Sequence, residues 1–78
     1  MIRVKVKTYA ELQKYGPKGK EEFVVDLTEG ARVRDLMEFL KIPEHRVMLV
    51  LKNGKKATEE DPLSDGDAVF FYPVIGGG

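Results

Sequence analysis

Val33-Arg34-Asp35-Leu36-Met37-Glu38-Phe39-Leu40 is the stretch on which the fold turns. Val33, Leu36, Met37 and Leu40 fall at i, i+3, i+4 and i+7, the spacing of one face of an α-helix. Arg34, Asp35, Glu38 and Lys41 lie off that stripe. Pro43 follows shortly, and a proline disfavours helical backbone in the residue before it. The stretch therefore predicts one short helix with a single apolar face, the form a helix takes when it packs across one side of a sheet.

On either side of it the chain reads as strands and turns. Ile2, Val4 and Val6 alternate with Arg3, Lys5 and Lys7, a period-two strand with one face buried and one wet. The three basic residues read as the solvated face of an outer strand. Tyr9 to Lys20 loses the alternation, and Gly16-Pro17-Lys18-Gly19 is a loop or turn signal. Phe23, Val25 and Leu27 make a second strand, which Thr28-Glu29-Gly30 closes. Beyond the helix, Val47 to Leu51 is an unbroken apolar strand, and Asn53-Gly54 is the strongest two-residue hairpin signal. Lys55 to Ala57 predicts a brief return strand. Leu63 is an isolated apolar anchor, Ser64-Asp65-Gly66-Asp67 a turn, and Ala68 to Tyr72 a last strand stopped by Pro73.

The order is strand, strand, helix, strand, short strand, strand. It implies an α+β domain: a mixed four- to five-stranded sheet with one main helix packed on one face. The last strand is expected in mid-sheet, parallel to the first. Residues 1–73 form the domain and residues 74–78 a flexible C-terminal tail. A chain of 78 residues supports one domain with a small core and little room for an enclosed active-site pocket.

Composition excludes several function classes. No cysteine is present, which removes disulfides, thiolate metal sites and cysteine nucleophiles, and the single histidine, His45, does not build a metal site alone. Thirteen acidic and thirteen basic residues cancel, so the basic excess of a nucleic-acid binder is missing and no nucleic-acid partner is expected. No apolar run approaches the ~20 residues of a membrane span. Arg3, Lys5 and Lys7 interrupt any signal-peptide pattern, which makes the cytoplasm the expected location. Gly16 to Lys20 lacks the spacing of a phosphate-binding loop.

The ending, Pro73-Val74-Ile75-Gly76-Gly77-Gly78, carries the functional signal. The glycines follow a firm strand and an apolar pair rather than a polar linker. Glycine backbone lacks a Cβ and threads a channel too narrow for other residues. Residues 74–78, fully extended, reach roughly 16 Å, far enough to carry a carboxylate inside another protein. A carboxylate becomes an acyl donor once it is converted to a mixed anhydride, for instance with AMP.

Glu29-Gly30-Ala31 leading into Val33-Arg34-Asp35-Leu36, then Asn53-Gly54, Pro62-Leu63-Ser64-Asp65-Gly66-Asp67, and Phe71-Tyr72-Pro73 through Gly78 together carry a resemblance. The chain resembles the molybdopterin-synthase small subunit and thiamine sulfur-carrier family, of ubiquitin-like β-grasp fold. That resemblance implies a non-catalytic carrier with no bound cofactor. An E1-like enzyme would spend ATP to adenylate Gly78, and a sulfur donor would convert it to a thiocarboxylate. The tail residues Val74, Ile75, Gly76 and Gly77 would then thread the site of a large synthase subunit or another sulfur acceptor. The long connection Ala10 to Glu22 and Pro73 resemble the molybdopterin type; Val74-Ile75 and Ile42 to Val47 resemble the thiamine type. Arg32 stands where the family has a Thr helix cap, and Gly76 where it has Ala, Ser or Thr.

Period two also places Phe70 and Tyr72 opposite Val69 and Phe71 on the last strand. Val50 and Met48 share one face of the third strand; Val47, Leu49 and Leu51 share the other. Phe70, Tyr72, Leu51 and Leu49 are therefore candidate partner-docking residues, unless a loop of the chain covers them. Glu59, Glu60, Asp61, Asp65 and Asp67 read as a solvated acidic loop or a steering surface for a basic partner. Lys52, Lys55 and Lys56 read as hairpin charges. Other functions stay open on the residues alone: a protein modifier joined to lysines, a carrier for thiamine, tRNA thiolation or cysteine synthesis, and a non-covalent or RNA-binding module.

Overall fold

The computed structural model describes residues 1–75. Five strands, β1 (Ile2–Thr8), β2 (Glu22–Leu27), β3 (Val47–Lys52), β4 (Lys55–Ala57) and β5 (Ala68–Pro73), form one sheet in the order β2-β1-β5-β3-β4. β1 and β5 run parallel in the middle and every other pairing is antiparallel. Helix α1 (Val33–Leu40) packs on one face, which is the β-grasp arrangement the sequence implies. β1 is not an outer strand: it lies between β2 and β5, and only its Arg3, Lys5 and Lys7 face is wet. The reason is the parallel β1–β5 pairing, which leaves the edge to β2.

The core follows the two periods. Ile2, Val4 and Val6 of β1, Val25 and Leu27 of β2, Val50 of β3, and Val69 and Phe71 of β5 meet Val33, Leu36 and Met37 of α1. Phe71, Val4, Val6, Val33, Leu36 and Val69 are fully buried. Leu63 is buried and ties the returning loop to the helix entry, its N–H donating to the Ala31 carbonyl.

Arg32 has no side chain able to cap a helix, yet the helix entry is satisfied. The Arg32 N–H donates to the Asp35 carboxylate at 2.8 Å, the backward half of a capping box. The next two amides, of Val33 and Arg34, donate to the carbonyls of Asp61 and Glu59 at 3.0 and 2.9 Å. The loop 58–62 thus supplies what a threonine hydroxyl would have supplied. At the other end Lys41 is left-handed (φ 62°), with its N–H on the Glu38 carbonyl and that of Ile42 on the Met37 carbonyl. That is a Schellman ending, closed by buried Ile42. The helix therefore stops at Lys41, before Pro43 acts on it.

The patternless segment after β1 is ordered into 3-10 turns, Ala10–Tyr15 and Pro17–Gly19. Leu12 is wholly buried and joins the core. Both centres of the Asn53-Gly54 turn have positive φ, 53° and 83°, as a type I′ hairpin requires.

Candidate functional site

β5 carries the site because its two faces do different work. Val69 and Phe71 point into the core, while Phe70 and Tyr72 stand half-exposed on the opposite, helix-free face. Register sets Leu51 beside Phe70 and Leu49 beside Tyr72, so the four proposed docking residues form one contiguous patch. Met48 and Val50 line one cavity on the helix side but differ in depth. A register slip between Val47 and Leu49 takes Met48 out of the ladder and leaves it 59% exposed, while Val50 is buried opposite Phe71.

The patch is partly covered by a residue the sequence reading missed. Tyr9 lies flat on Tyr72, with ring centroids 4.5 Å apart and planes 9° from parallel. It meets Phe70 edge-on at 6.2 Å. Lys7 Nζ lies 5.2 Å from the Tyr9 ring centre and 5.9 Å from that of Phe70, within cation–π range of both. The Tyr72 hydroxyl is held above the usual phenol range, first by the Tyr9 hydroxyl beside it and then by loss of water. A signal was available: Arg3, Lys5, Lys7 and Tyr9 continue one period-two series on the outer face. The patch is thus an aromatic trio with Leu49 and Leu51 on one flank and lysines on the other.

The chain leaves the sheet beside this patch. Val74 N–H donates to the Arg46 carbonyl at 3.0 Å, one bond beyond the last β3–β5 pair. The Arg46 guanidinium in turn bonds Glu11 of the first 3-10 turn at 3.2 Å. A shallow cavity of about 250 Å³ lined by Glu11, His45, Arg46 and Val74 marks this root. Val74 is half-exposed and Ile75 is 79% exposed, so two apolar side chains project from the fold. Gly76, Gly77 and Gly78, which carry the proposed threading and activation roles, lie outside the described residues.

The remaining sequence candidates divide. In the acidic group, Asp61, Asp65 and Asp67 are structural acceptors. Asp61 takes the Thr58 hydroxyl, Asp65 the Arg3 N–H, and Asp67 the Ser64 N–H and the Asn53 side-chain amide. Glu59 and Glu60 instead turn toward α1 and line a groove with Glu38 and Glu44. Lys52 is more than a hairpin charge, since its ammonium donates to the Pro62 carbonyl at 2.9 Å. His45 is exposed. Among the described residues no group of three or more His, Asp or Glu is placed to hold a metal ion, and no helix is long and apolar enough to cross a membrane.

Residues 1–76 match a family model described as Mut7-C ubiquitin. No curated protein matches the sequence. Among solved structures, a Pyrococcus furiosus protein assigned as molybdopterin converting factor, subunit 1, is 30% identical over 96% of this chain and 100% of its own, with a TM-score of 0.78. Small archaeal modifier protein 1 from Haloferax volcanii superposes with a TM-score of 0.79 at 21% identity, covering 96% of this chain and 100% of its own. A Helicobacter pylori structure of subunits 1 and 2 of molybdopterin-converting factor contains a chain with a TM-score of 0.62 at 23% identity, over 99% of this chain and 100% of that one. At the last two identities the likeness speaks to the fold. The chains that match are small carrier or modifier proteins.

Proposed function

The chain belongs to the Mut7-C ubiquitin family, within the ubiquitin-like sulfur carriers and modifiers, and from that premise we propose that it carries sulfur on Gly78. In this reading a carboxylate oxygen of Gly78 attacks the α-phosphorus of ATP on an activating enzyme and pyrophosphate leaves. Hydrosulfide then attacks the acyl carbon, AMP departs, and a thiocarboxylate remains; with a persulfide as nucleophile, a thiol of the donor system must cleave the resulting acyl disulfide, leaving as a disulfide with the donor. The carrier supplies no catalytic side chain; it is the co-substrate. The destination we favour is a large synthase subunit that makes the dithiolene of molybdenum or tungsten cofactor. Supporting this are the 30% identical Pyrococcus protein and the pairing of subunits 1 and 2 in the Helicobacter structure.

The observation that carries the proposal is the root of the tail. The sheet holds the chain through the Val74–Arg46 bond, then releases Ile75 with most of its apolar surface in water, next to the Tyr9–Phe70–Tyr72 patch. Counted from Ile75, four extended residues reach roughly 13 Å beyond that anchor. The patch would seat the partner while the glycines enter its site. The Haloferax modifier supports a second reading, conjugation of the same adenylate to lysines.

Intact mass of the protein recovered from its own cells tests the proposal. Replacement of one oxygen by sulfur at Gly78 is the expected result. Absence of that species under sulfur-replete conditions, together with a ladder of conjugates on denaturing immunoblots, would move the assignment to modification. One residue appended after Gly78 should abolish both activities; a chain that still functions would leave only non-covalent binding. Tyr72→Glu should weaken both activating-enzyme and acceptor binding, and unchanged binding would remove the patch from the scheme.

A further inference from the structure

Two adjoining cavities, of about 670 and about 320 Å³, share Met37, Glu44, Thr58 and Glu59 and form one groove. It runs from the flank of α1, past the loop 58–60, to the start of β3, on the helix side of the sheet. Its floor is apolar, with Met37 and Ile42 at the margin of the core and the bulged Met48 at the far end. Its walls carry four carboxylates, of Glu38, Glu44, Glu59 and Glu60.

Two cations balance these walls only in part: Arg34 in the first cavity, paired with Glu60, and Lys56 at the rim of the second. Among the described residues no ion pair engages Glu38, Glu44 or Glu59. The Glu59 carboxyl is pushed up, first by loss of water and then by Glu44, so these carboxylates repel one another across the groove. They do not converge on one point as a metal site would. Negative charge spread along an apolar floor fits several cations spread along a chain. It rejects phosphate backbones for the same reason.

We propose that this groove seats an extended basic segment of a partner protein, with an apolar side chain on Met37, Ile42 and Met48 and Lys or Arg side chains against Glu38, Glu44 and Glu59. Glu44 belongs to the same three-residue turn as Arg46, which anchors Val74. A segment seated here lies beside the root of the tail. The groove is a second surface: it meets the aromatic face at Leu49 and at Lys56, the cross-strand partner of Leu51.

Titration of the isotope-labelled full chain with the synthetic octapeptide KRLKTVRK, followed by amide NMR shifts, tests the inference, with EELETVEE as the control. The basic peptide should move the amides of Glu38, Glu44, Met48 and Glu59, and the acidic one should move none. Glu44→Gln with Glu59→Gln should weaken binding about tenfold. That double variant should melt no lower than the parent, because it removes repulsion. If it does not fold, Met48→Ser, at an exposed position, serves in its place and should also weaken binding. Shifts centred on Phe70 and Tyr72 or on Asp65 to Asp67, affinity unchanged in the variants, or a second copy of the chain occupying the groove without peptide would each overturn the proposal. The measurement involves no adenylation or sulfur transfer, so its failure leaves the carrier reading standing, and the reverse holds too.

Discussion

Phe71 and Tyr72 are neighbours in sequence with opposite duties, and truncating each to alanine separates them. Phe71 is fully buried between β1, β3 and α1, paired with Val50 on β3 and Thr8 on β1. Removing a buried phenyl ring leaves a cavity and costs about 3–5 kcal/mol. A chain of this length has about 4–12 kcal/mol of total stability. Phe71→Ala should therefore lower the melting midpoint by roughly 12–40 °C and leave part of the population unfolded at 37 °C. Tyr72→Ala loses one stacked neighbour, Tyr9, on a face already open to water. Its midpoint should fall by only about 5 °C. Binding to the activating enzyme or acceptor should behave in the opposite sense: Tyr72→Ala weakens it while folded, whereas Phe71→Ala weakens it only in proportion to the unfolded fraction. Thermal melts by circular dichroism, with binding measured at 15 °C, make the comparison. Equal midpoints for the two variants, or a lower one for Tyr72→Ala, would refute the assignment of faces.

Lys41 holds the left-handed position at the end of α1 with an exposed side chain, so Lys41→Gly should stabilise by about 0.5–1 kcal/mol and raise the midpoint in a melt. Gly16 is different: a Cβ there would collide with the Lys20 carbonyl and stand 2.8 Å from the Phe23 ring. Gly16→Ala should cost about 1–3 kcal/mol, read by urea unfolding, because backbone has to move. The Asp26 carboxyl is held below the usual carboxylate range by its hydrogen bond and charge pairing with Arg3. Its stabilising share is complete above the usual carboxylate range and is lost as pH falls through the lowered value. Arg3→Ala should move that loss to higher pH, visible as an upward shift of the Asp26 titration followed by carboxyl NMR.

What the sequence made legible, and what it did not, follows from the range of the forces involved. The helix stripe, the period-two strands and the Asn53-Gly54 turn are local, and each formed where its residues indicated. Leu12 sits in a segment without period, and Tyr9 continues the alternation of β1 only past the strand's end; both places depend on contacts remote in sequence: Leu12 enters the core, and Tyr9 stacks on Tyr72. Arg32 misled for a similar reason. A poor cap by residue type is satisfied by the carbonyls of Glu59 and Asp61, more than twenty-five positions away. The bulge at Met48 also has no sequence mark, because it is set by pairing with β5. In the candidate site, alternation alone set Phe70, Tyr72, Leu49 and Leu51 on one face, and it did not show the covering ring.

The zero net charge conceals a division that the fold creates. Lys5, Lys7 and Arg3 alternate along β1 and so share the aromatic face, where Asp26 and Glu22 pair with Arg3 and Lys7, while Glu38, Glu44, Glu59 and Glu60 come from three separate segments onto the helix side. Charge summed over the sequence bears on nucleic-acid affinity, but recognition by a protein depends on charge per face. The tail root lies at the end of the sheet, where Val74 shares a cavity with Glu11, His45 and Arg46, and Arg46 belongs to the same turn as Glu44. A partner that grips both faces would fix the direction in which Ile75 departs, something neither face alone determines, because the described residues hold the chain there by one backbone bond, from Val74 to Arg46. In the proposed scheme, orientation of that departure, more than affinity at either face, would decide whether an extended reach of roughly 13 Å ends at a reacting phosphorus or in solvent.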